Sequence, residues 1–300
     1  DAVLDVVVAH RDPDPNNPHQ FDSVSVAFGA GDGSFEPAAE LLVQGVPVAV
    51  QAVDVNGDGA DDIVTANARS PFFDPLSVLL SNGDRTFQAE RSFRAGSADP
   101  KDMAAGDLNG DGHPDIVTVT GTDTTGTATV VLGRGDGSFG APVQLTVGRG
   151  TQSVAIGDLN GDHKLDILTG NAPGYLAPGS SVSVLLGRGD GTFDDHVDYA
   201  VDGMPQRIGL ADMNGDGDLD VISSNGTGGT FSVWLGNGDG TLTATKCASF
   251  AIGNNTNLVS FGIADFDRDG RPDLALANAD RSGVLVALQA GPVRRTGPGA

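Results

Sequence analysis

The sequence predicts an all-β fold of tandem four-stranded units, and three observations predict it. A nine-residue segment rich in aspartate occurs five times: "DVNGDGADD" from Asp54, "DLNGDGHPD" from Asp107, "DLNGDHKLD" from Asp158, "DMNGDGDLD" from Asp212 and "DFDRDGRPD" from Asp265. Their last aspartates, Asp62, Asp115, Asp166, Asp220 and Asp273, stand 53, 51, 54 and 53 residues apart. So regular a period marks a repeat architecture. The 300 residues include 44 glycines and 16 prolines with little aromatic content, which suits short strands and tight turns. Runs of Ala, Leu, Glu and Lys at helical spacing are missing.

The elements of one unit follow in order. An apolar strand leads into the aspartate segment, as in "VAVQAVD" and "SVAIGD". A proline often precedes it: Pro47, Pro100 and Pro205 each lie seven residues before the first aspartate. The segment itself is a loop. A second strand follows ("DIVTAN", "DIVTVT", "DILTGN", "DVISSN", "DLALAN"), then a variable loop, then a third strand ("LSVLLSN", "ATVVLG", "VSVLLG", "FSVWLG", "GVLVAL"). A glycine-rich turn ending in Phe or Leu ("GDRTF", "GDGSF", "GDGTF", "GDGTL") leads to a more polar fourth strand. Alternating β-branched residues with Asn-Gly and Asp-Gly turns support strands throughout.

Four strands in about 53 residues, repeated in tandem, are the mark of a β-propeller blade. A solenoid is the alternative, but its repeats are usually shorter and rarely hold a complete antiparallel meander. The expectation is one propeller domain over residues 1–300, with blade units at 1–46, 47–99, 100–150, 151–204, 205–257 and 258–300. The first unit lacks its opening strand, since Asp1 and Asp5 match the fifth and ninth places of an aspartate loop. The last unit reaches only a third strand. A longer natural polypeptide is therefore expected, its other domains among the partners.

Charge and composition exclude several functions. Forty acidic against 17 basic residues give a formal charge of -23, which repels nucleic-acid phosphates and anionic lipid heads. No run of about 18 apolar residues exists, so membrane insertion is not expected. One cysteine, Cys247, permits no internal disulfide and leaves the compartment undecided.

The acid is concentrated in the loops, in a pattern that fits a cation. With each loop numbered one to nine, places one, three and five carry Asp or Asn and place nine carries Asp. Oxygens at alternating places converge when the chain curls round a point, glycine at place six permits the turn, and the backbone carbonyl at place seven adds an oxygen. The expected ligand sets are Asp54, Asn56, Asp58, Ala60 and Asp62; Asp107, Asn109, Asp111, His113 and Asp115; Asp158, Asn160, Asp162, Lys164 and Asp166; Asp212, Asn214, Asp216, Asp218 and Asp220; and Asp265, Asp267, Asp269, Arg271 and Asp273. An EF-hand uses the same logic, although it closes with Glu at place twelve and sits between helices. All-oxygen ligands favour Ca²⁺ over zinc or copper, and magnesium takes fewer protein ligands. Asx turns alone would also put Asp and Asn in loops, but five copies holding the same four places weigh against that reading. His163 replaces glycine at place six, so the Asp158 loop is expected to be the weaker site. Calcium at about tenfold its dissociation constant adds about 1.4 kcal/mol per site. Such weak sites fill only where calcium is millimolar, so an extracellular or cell-surface location is expected.

"GDGSFGAP" from Gly135 to Pro142 resembles the FG-GAP motif, and "VSVLLGRGDGTF" with "DLNGDGHPDIV" resembles bacterial FG-GAP/VCBS repeat proteins. The same repeat builds the propeller of integrin α-subunits and of a fungal lectin. The resemblance covers nearly the whole chain. It implies a propeller, most often seven-bladed, with calcium in the loop between the first and second strands of a blade. It implies no single activity, since the family includes adhesins, lectins and parts of enzymes.

Several residues invite a functional reading. "RGD" occurs at Arg134–Asp136 and Arg188–Asp190, where Gly-Asp belongs to the turn between third and fourth strands. Trp234 aligns with Leu79 and Leu185 and is expected to pack between blades. No Ser-His-Asp order or paired glutamates stand out, so no enzyme is expected. Propeller geometry puts the aspartate loops and Gly-Asp turns on one face and the variable loops on the other. Loops on a rigid scaffold are where binding evolves, and Phe72, Phe73 and Tyr175 on the variable face are candidates to stack on a sugar or protein, although capping of the adjacent blade edges is the favoured reading of these rings. The expected function is a calcium-stabilised module recognising glycan or extracellular protein. The alternatives are part of a polysaccharide-active enzyme, or a spacer in a large surface protein.

Overall fold

The structure is a computed structural model, and it describes residues 3–10, 23–68, 75–96, 99–174, 179–201, 203–226, 230–243, 247–251, 258–278 and 283–289. Among these residues every regular element is a strand. Blade one holds β1 (Val6–His10), β2 (Ser23–Ala27) and β3 (Ala39–Leu42). Blade two holds β4 (Val46–Val53), β5 (Asp62–Ala68), β6 (Leu76–Leu79) and β7 (Arg91–Phe93). Blade three holds β8 (Asp102–Gly106), β9 (Asp115–Thr122), β10 (Thr125–Val131) and β11 (Val143–Thr146). Blade four holds β12 (Thr151–Gly157), β13 (Asp166–Asn171), β14 (Ser181–Leu185) and β15 (Val197–Ala200). Blade five holds β16 (Pro205–Ala211), β17 (Asp220–Asn225), β18 (Thr230–Trp234) and β19 (Cys247–Ala251). Blade six holds β20 (Leu258–Ala264), β21 (Asp273–Asn278) and β22 (Gly283–Ala287). Each sheet is an antiparallel meander in chain order, as short turns between β-branched strands dictate. Among the described residues the first and last sheets have three strands.

Strand alternation sends successive side chains to opposite faces, so each blade buries one set against the blade before it and another against the blade after. On β5, Ile63 packs with Val24, Val26 and Leu79 towards blade one. Val64 and Ala66 pack with Met103, Ile116 and Val131 towards blade three. Equivalent clusters fill the later interfaces, one around Val117, Val130, Ile167 and Leu185, one around Leu168, Val184, Val221 and Trp234, and one around Ile222, Phe231 and Leu274. Burying such a side chain is worth about 1.5–3 kcal/mol. The second strands are covered on both faces, and every residue of β5, β13 and β17 is buried. The first strands line up: β4 touches β8, β8 touches β12, β12 touches β16 and β16 touches β20.

The links between blades are also repeated features. Val43, Ala95, Val147 and Val201 occupy the same place after a fourth strand, and all are buried. One contact reaches further. Asp102 on β8 accepts a hydrogen bond from Val154 N on β12 at 3.2 Å and forms a 2.6 Å ion pair with Arg207 on β16. Blade three is thereby tied to blade five across blade four. Burial pushes the Asp102 carboxyl up despite the guanidinium beside it.

Candidate metal centres in the aspartate loops

The loops curl through a staircase of side chain to backbone hydrogen bonds. At place one, Asp54 Oδ1 accepts from the N–H groups of Asn56, Gly57 and Asp58, and Oδ2 from Gly59. At place three, Asn56 Oδ1 accepts from Asp58 N, and at place five Asp58 Oδ1 accepts from Ala60 N. The pattern recurs in the loops beginning at Asp107, Asp158, Asp212 and Asp265. The bend needs positive φ at places four and six. Arg268 at place four and His163 at place six adopt it, at 62° and 64°, where the other loops use glycine.

This curl brings the oxygens of places one, three and five together. In the last loop, where all three are acids, carboxylate oxygens of Asp265, Asp267 and Asp269 lie within 4.8 Å of one another. In the other four loops Asn supplies the middle oxygen, and in three of these its amide donates to the place-five carboxylate. The donors are hard oxygens, and that set fits a calcium-type ion. At place seven the backbone N–H serves the turn, while the side chains lie outside the curl. A Cβ on Gly135 would strike the His113 ring, and Lys164 and Asp218 lie against Gly189 and Gly238 in the same way. Two place-seven residues bring positive charge: Lys164 lies 3.3 Å from Asp162 Oδ2, and Arg271 pairs with Asp269.

Place nine does something the sequence did not disclose. Asp62, Asp115, Asp166, Asp220 and Asp273 have no exposed surface. One oxygen of each accepts the N–H of place two, from Val55, Leu108, Leu159, Met213 and Phe266. The other accepts an N–H just beyond the third strand, from Ser81, Gly133, Gly187, Gly236 and Gln289. Asp5 makes the second of these bonds in blade one, to Gly29 N. Asp62, Asp115, Asp166 and Asp220 thus each pin their own loop to their own Gly-Asp turn, while Asp273 ties its loop to the end of the third strand and stands outside the acid cluster of its loop.

Electrostatics sharpen the picture. Burial pushes Asp62, Asp115, Asp166 and Asp220 up, the two N–H donors oppose this, and the carboxylates at places one and five raise them further. Asp273 moves down, led by its bond from Gln289. Asp267 moves up, from loss of water and then from Asp269 and Asp273. Asp54 and Asp212 lose some water, yet their ring of N–H donors holds both below the usual range.

The loops also join blades. The place-two residues Val55, Leu108 and Leu159 bury their side chains under the next blade. Their carbonyls accept the N–H groups of Gly137, Gly191 and Gly240 from the next blade's Gly-Asp turn, at 3.0, 3.2 and 3.1 Å. A Cβ on these glycines would meet Leu80, Leu132 and Leu186 of the preceding blade. At the matching place of blade two Arg85 stands over the Phe28 ring at 5.1 Å. An apolar residue amid a charged loop was the sequence signal for this contact. Within the Arg-Gly-Asp triplets, Asp136 and Asp190 accept from Ser138 and Thr192 of their own turns, consistent with a structural role. Trp234 is buried between blades four and five. Phe72, Phe73 and Tyr175 lie outside the described residues.

Residues 54–118, 107–169 and 212–276 match the FG-GAP-like repeat, together covering more than half of the chain. The chain belongs to the FG-GAP repeat family. The three matched segments of this FG-GAP repeat chain each begin at the first aspartate of a loop, and they contain all five loops. No curated protein matches the chain. No helix among the described residues is long and apolar enough to cross a membrane.

Proposed function

We propose that the aspartate loops of this FG-GAP repeat chain bind Ca²⁺ and that the propeller is an extracellular, calcium-stabilised binding module for glycan or protein. One observation carries the reading: the same hydrogen-bonded curl recurs in all five loops, in the last of them it gathers carboxylate oxygens from places one, three and five, and beside four of the loops stand buried aspartates that desolvation opposes. A divalent ion bound there supplies the positive charge that offsets this repulsion. Asp, Asn and Asp at places one, three and five would hold it, with the place-seven carbonyl. Because place two of each loop is wedged under the next blade, ordering the loop also orders the blade interface. The opposite face carries the variable connections, which leaves it to the partner.

Calorimetric melting and calcium titration of the chain test the proposal. Saturable calcium uptake and a melting temperature raised by calcium and restored to its lower value by EGTA are expected. Identical melting with and without EGTA, and no uptake, would remove the calcium reading. Turnover of a polysaccharide by the purified chain would replace the binding-module reading with a catalytic one.

A further inference from the structure

We propose that a polar cavity between blades three and four binds a neutral, polyhydroxylated ligand of the mono- or disaccharide class; this deepens the reading of the chain as a binding module and rests on it. The cavity is about 410 Å³ and lies on the face opposite the aspartate loops. That volume is within the range of small-molecule sites, about 300–1,000 Å³. Two variable connections frame it. One is the tip of the β9–β10 hairpin, closed by a two-residue turn at Asp123–Thr124. The other follows β13. Gly174 N donates to Asp123 Oδ1 at 2.9 Å and ties the two together. Gly126 lies so close to the carbonyl of Gly148 that no Cβ fits, which fixes the hairpin against the link leading into blade four.

The chemistry of the lining selects the ligand. Thr125, Thr127 and Ser181 offer hydroxyls that both donate and accept, while Arg149, His196 and Asp198 supply directional charge-bearing groups. The guanidinium and the carboxylate balance, so no net charge calls for an ionic ligand, and the chain's overall charge of -23 disfavours an anion. Among the described residues the lining holds no Phe, Tyr or Trp for a flat apolar molecule.

Asp198 is the decisive group. In blade two the corresponding line of polar residues ends in Glu90, whose two oxygens accept the N–H of Gln44 in the link at 3.1 Å. In blade four the matching link N–H, from Gly148, goes to Ser183 Oγ at 3.0 Å. Ser183 in turn donates to Asp198 Oδ1 at 2.5 Å. Asp198 is therefore held in place without being consumed by the link; it lines the cavity, with Oδ2 3.9 Å from His196 Nε2. A fixed carboxylate beside an imidazole, in a cavity that an arginine also lines, suits the adjacent hydroxyls of a sugar, at little ordering cost.

The test is a titration of the calcium-loaded chain with free neutral monosaccharides and disaccharides, followed by NMR amide shifts, alongside a glycan array. Saturable binding that shifts Gly126 and Gly148 is expected. Asp198→Asn and Arg149→Ala should each weaken it by about tenfold, as loss of a hydrogen bond to a charged group does. Asp198 is 45% exposed, so the variant should fold, and unchanged melting verifies this. Binding seen only on the array, and lost in Asp198→Asn, supports the same site with a longer glycan as the source. Absence of binding by any neutral saccharide, binding only of acidic saccharides, or binding that both variants leave unchanged overturns the proposal. Calcium uptake is measured on the same samples, so failure of the loops and failure of the cavity give different results.

Discussion

Replacing Asp115 with alanine in calcium-free buffer separates two roles for the ninth place of a loop. In the structure Asp115 accepts the N–H groups of Leu108 at 2.9 Å and Gly133 at 2.7 Å, both buried. Alanine leaves both donors without a partner, and each costs about 1–3 kcal/mol. Removing a carboxylate that burial already disfavours returns part of this. A net loss of about 2–4 kcal/mol follows, a large fraction of a typical domain's 5–15 kcal/mol. Asparagine keeps one acceptor and should lose about half as much. The assay is urea unfolding in EGTA, with the midpoint and slope of wild type, Asp115→Ala and Asp115→Asn compared. If Asp115→Ala unfolds at the wild-type midpoint in EGTA, the carboxylate does not hold loop and turn together, and the structural argument fails.

The pH dependence of the calcium-free chain should be inverted over part of its range. Asp62, Asp115, Asp166 and Asp220 have raised folded pKa values, so their charged forms disfavour folding above those values and the penalty fades as pH falls towards 3.8. The turn residues Asp32, Asp84, Asp136, Asp190 and Asp239 are lowered, led by side-chain bonds from Ser34, Thr86, Ser138, Thr192 and Thr241, and their support is lost below 3.8. Urea midpoints in EGTA should therefore peak at mildly acidic pH, and a steady rise from pH 4 to 8 would contradict this. Lys164→Ala removes a cation 3.3 Å from Asp162 and should tighten calcium binding in the Asp158 loop up to about fivefold, read from the Gly161 amide in a titration. Gly191→Ala combines a φ of 79° with a contact on Leu132 and should cost about 2 kcal/mol in thermal melting. Gly33→Ala, with similar φ and open space around it, should cost about half as much.

The period, the strand order and the curled loops were legible because they depend on residues near one another in sequence. Aspartate at alternating places dictates the curl locally, and β-branched alternation dictates the strands. What place nine does was not legible. Asp166 reaches Gly187, 21 residues on, and only the register of β13 against β14 brings them together. The same holds for Leu108, whose burial under blade four depends on how the blades stack. The cavity beside Asp198 arises from a departure from the repeat, the tight Asp123–Thr124 turn, whose meaning appears only once the neighbouring link is in place. Arg85 and His163 show the limits of composition: each takes positive φ where the pattern favours glycine, since local hydrogen bonds and ring contacts hold the backbone there.

The bond between Asp102 and Arg207 has a consequence for how the molecule comes apart. A string of blades that each grip only their neighbours frays inwards from its ends, one module at a time. Here module four sits beneath a staple whose feet stand on three and five, so it cannot peel away while that staple holds. Blades three, four and five should therefore melt as a single cooperative block of three modules.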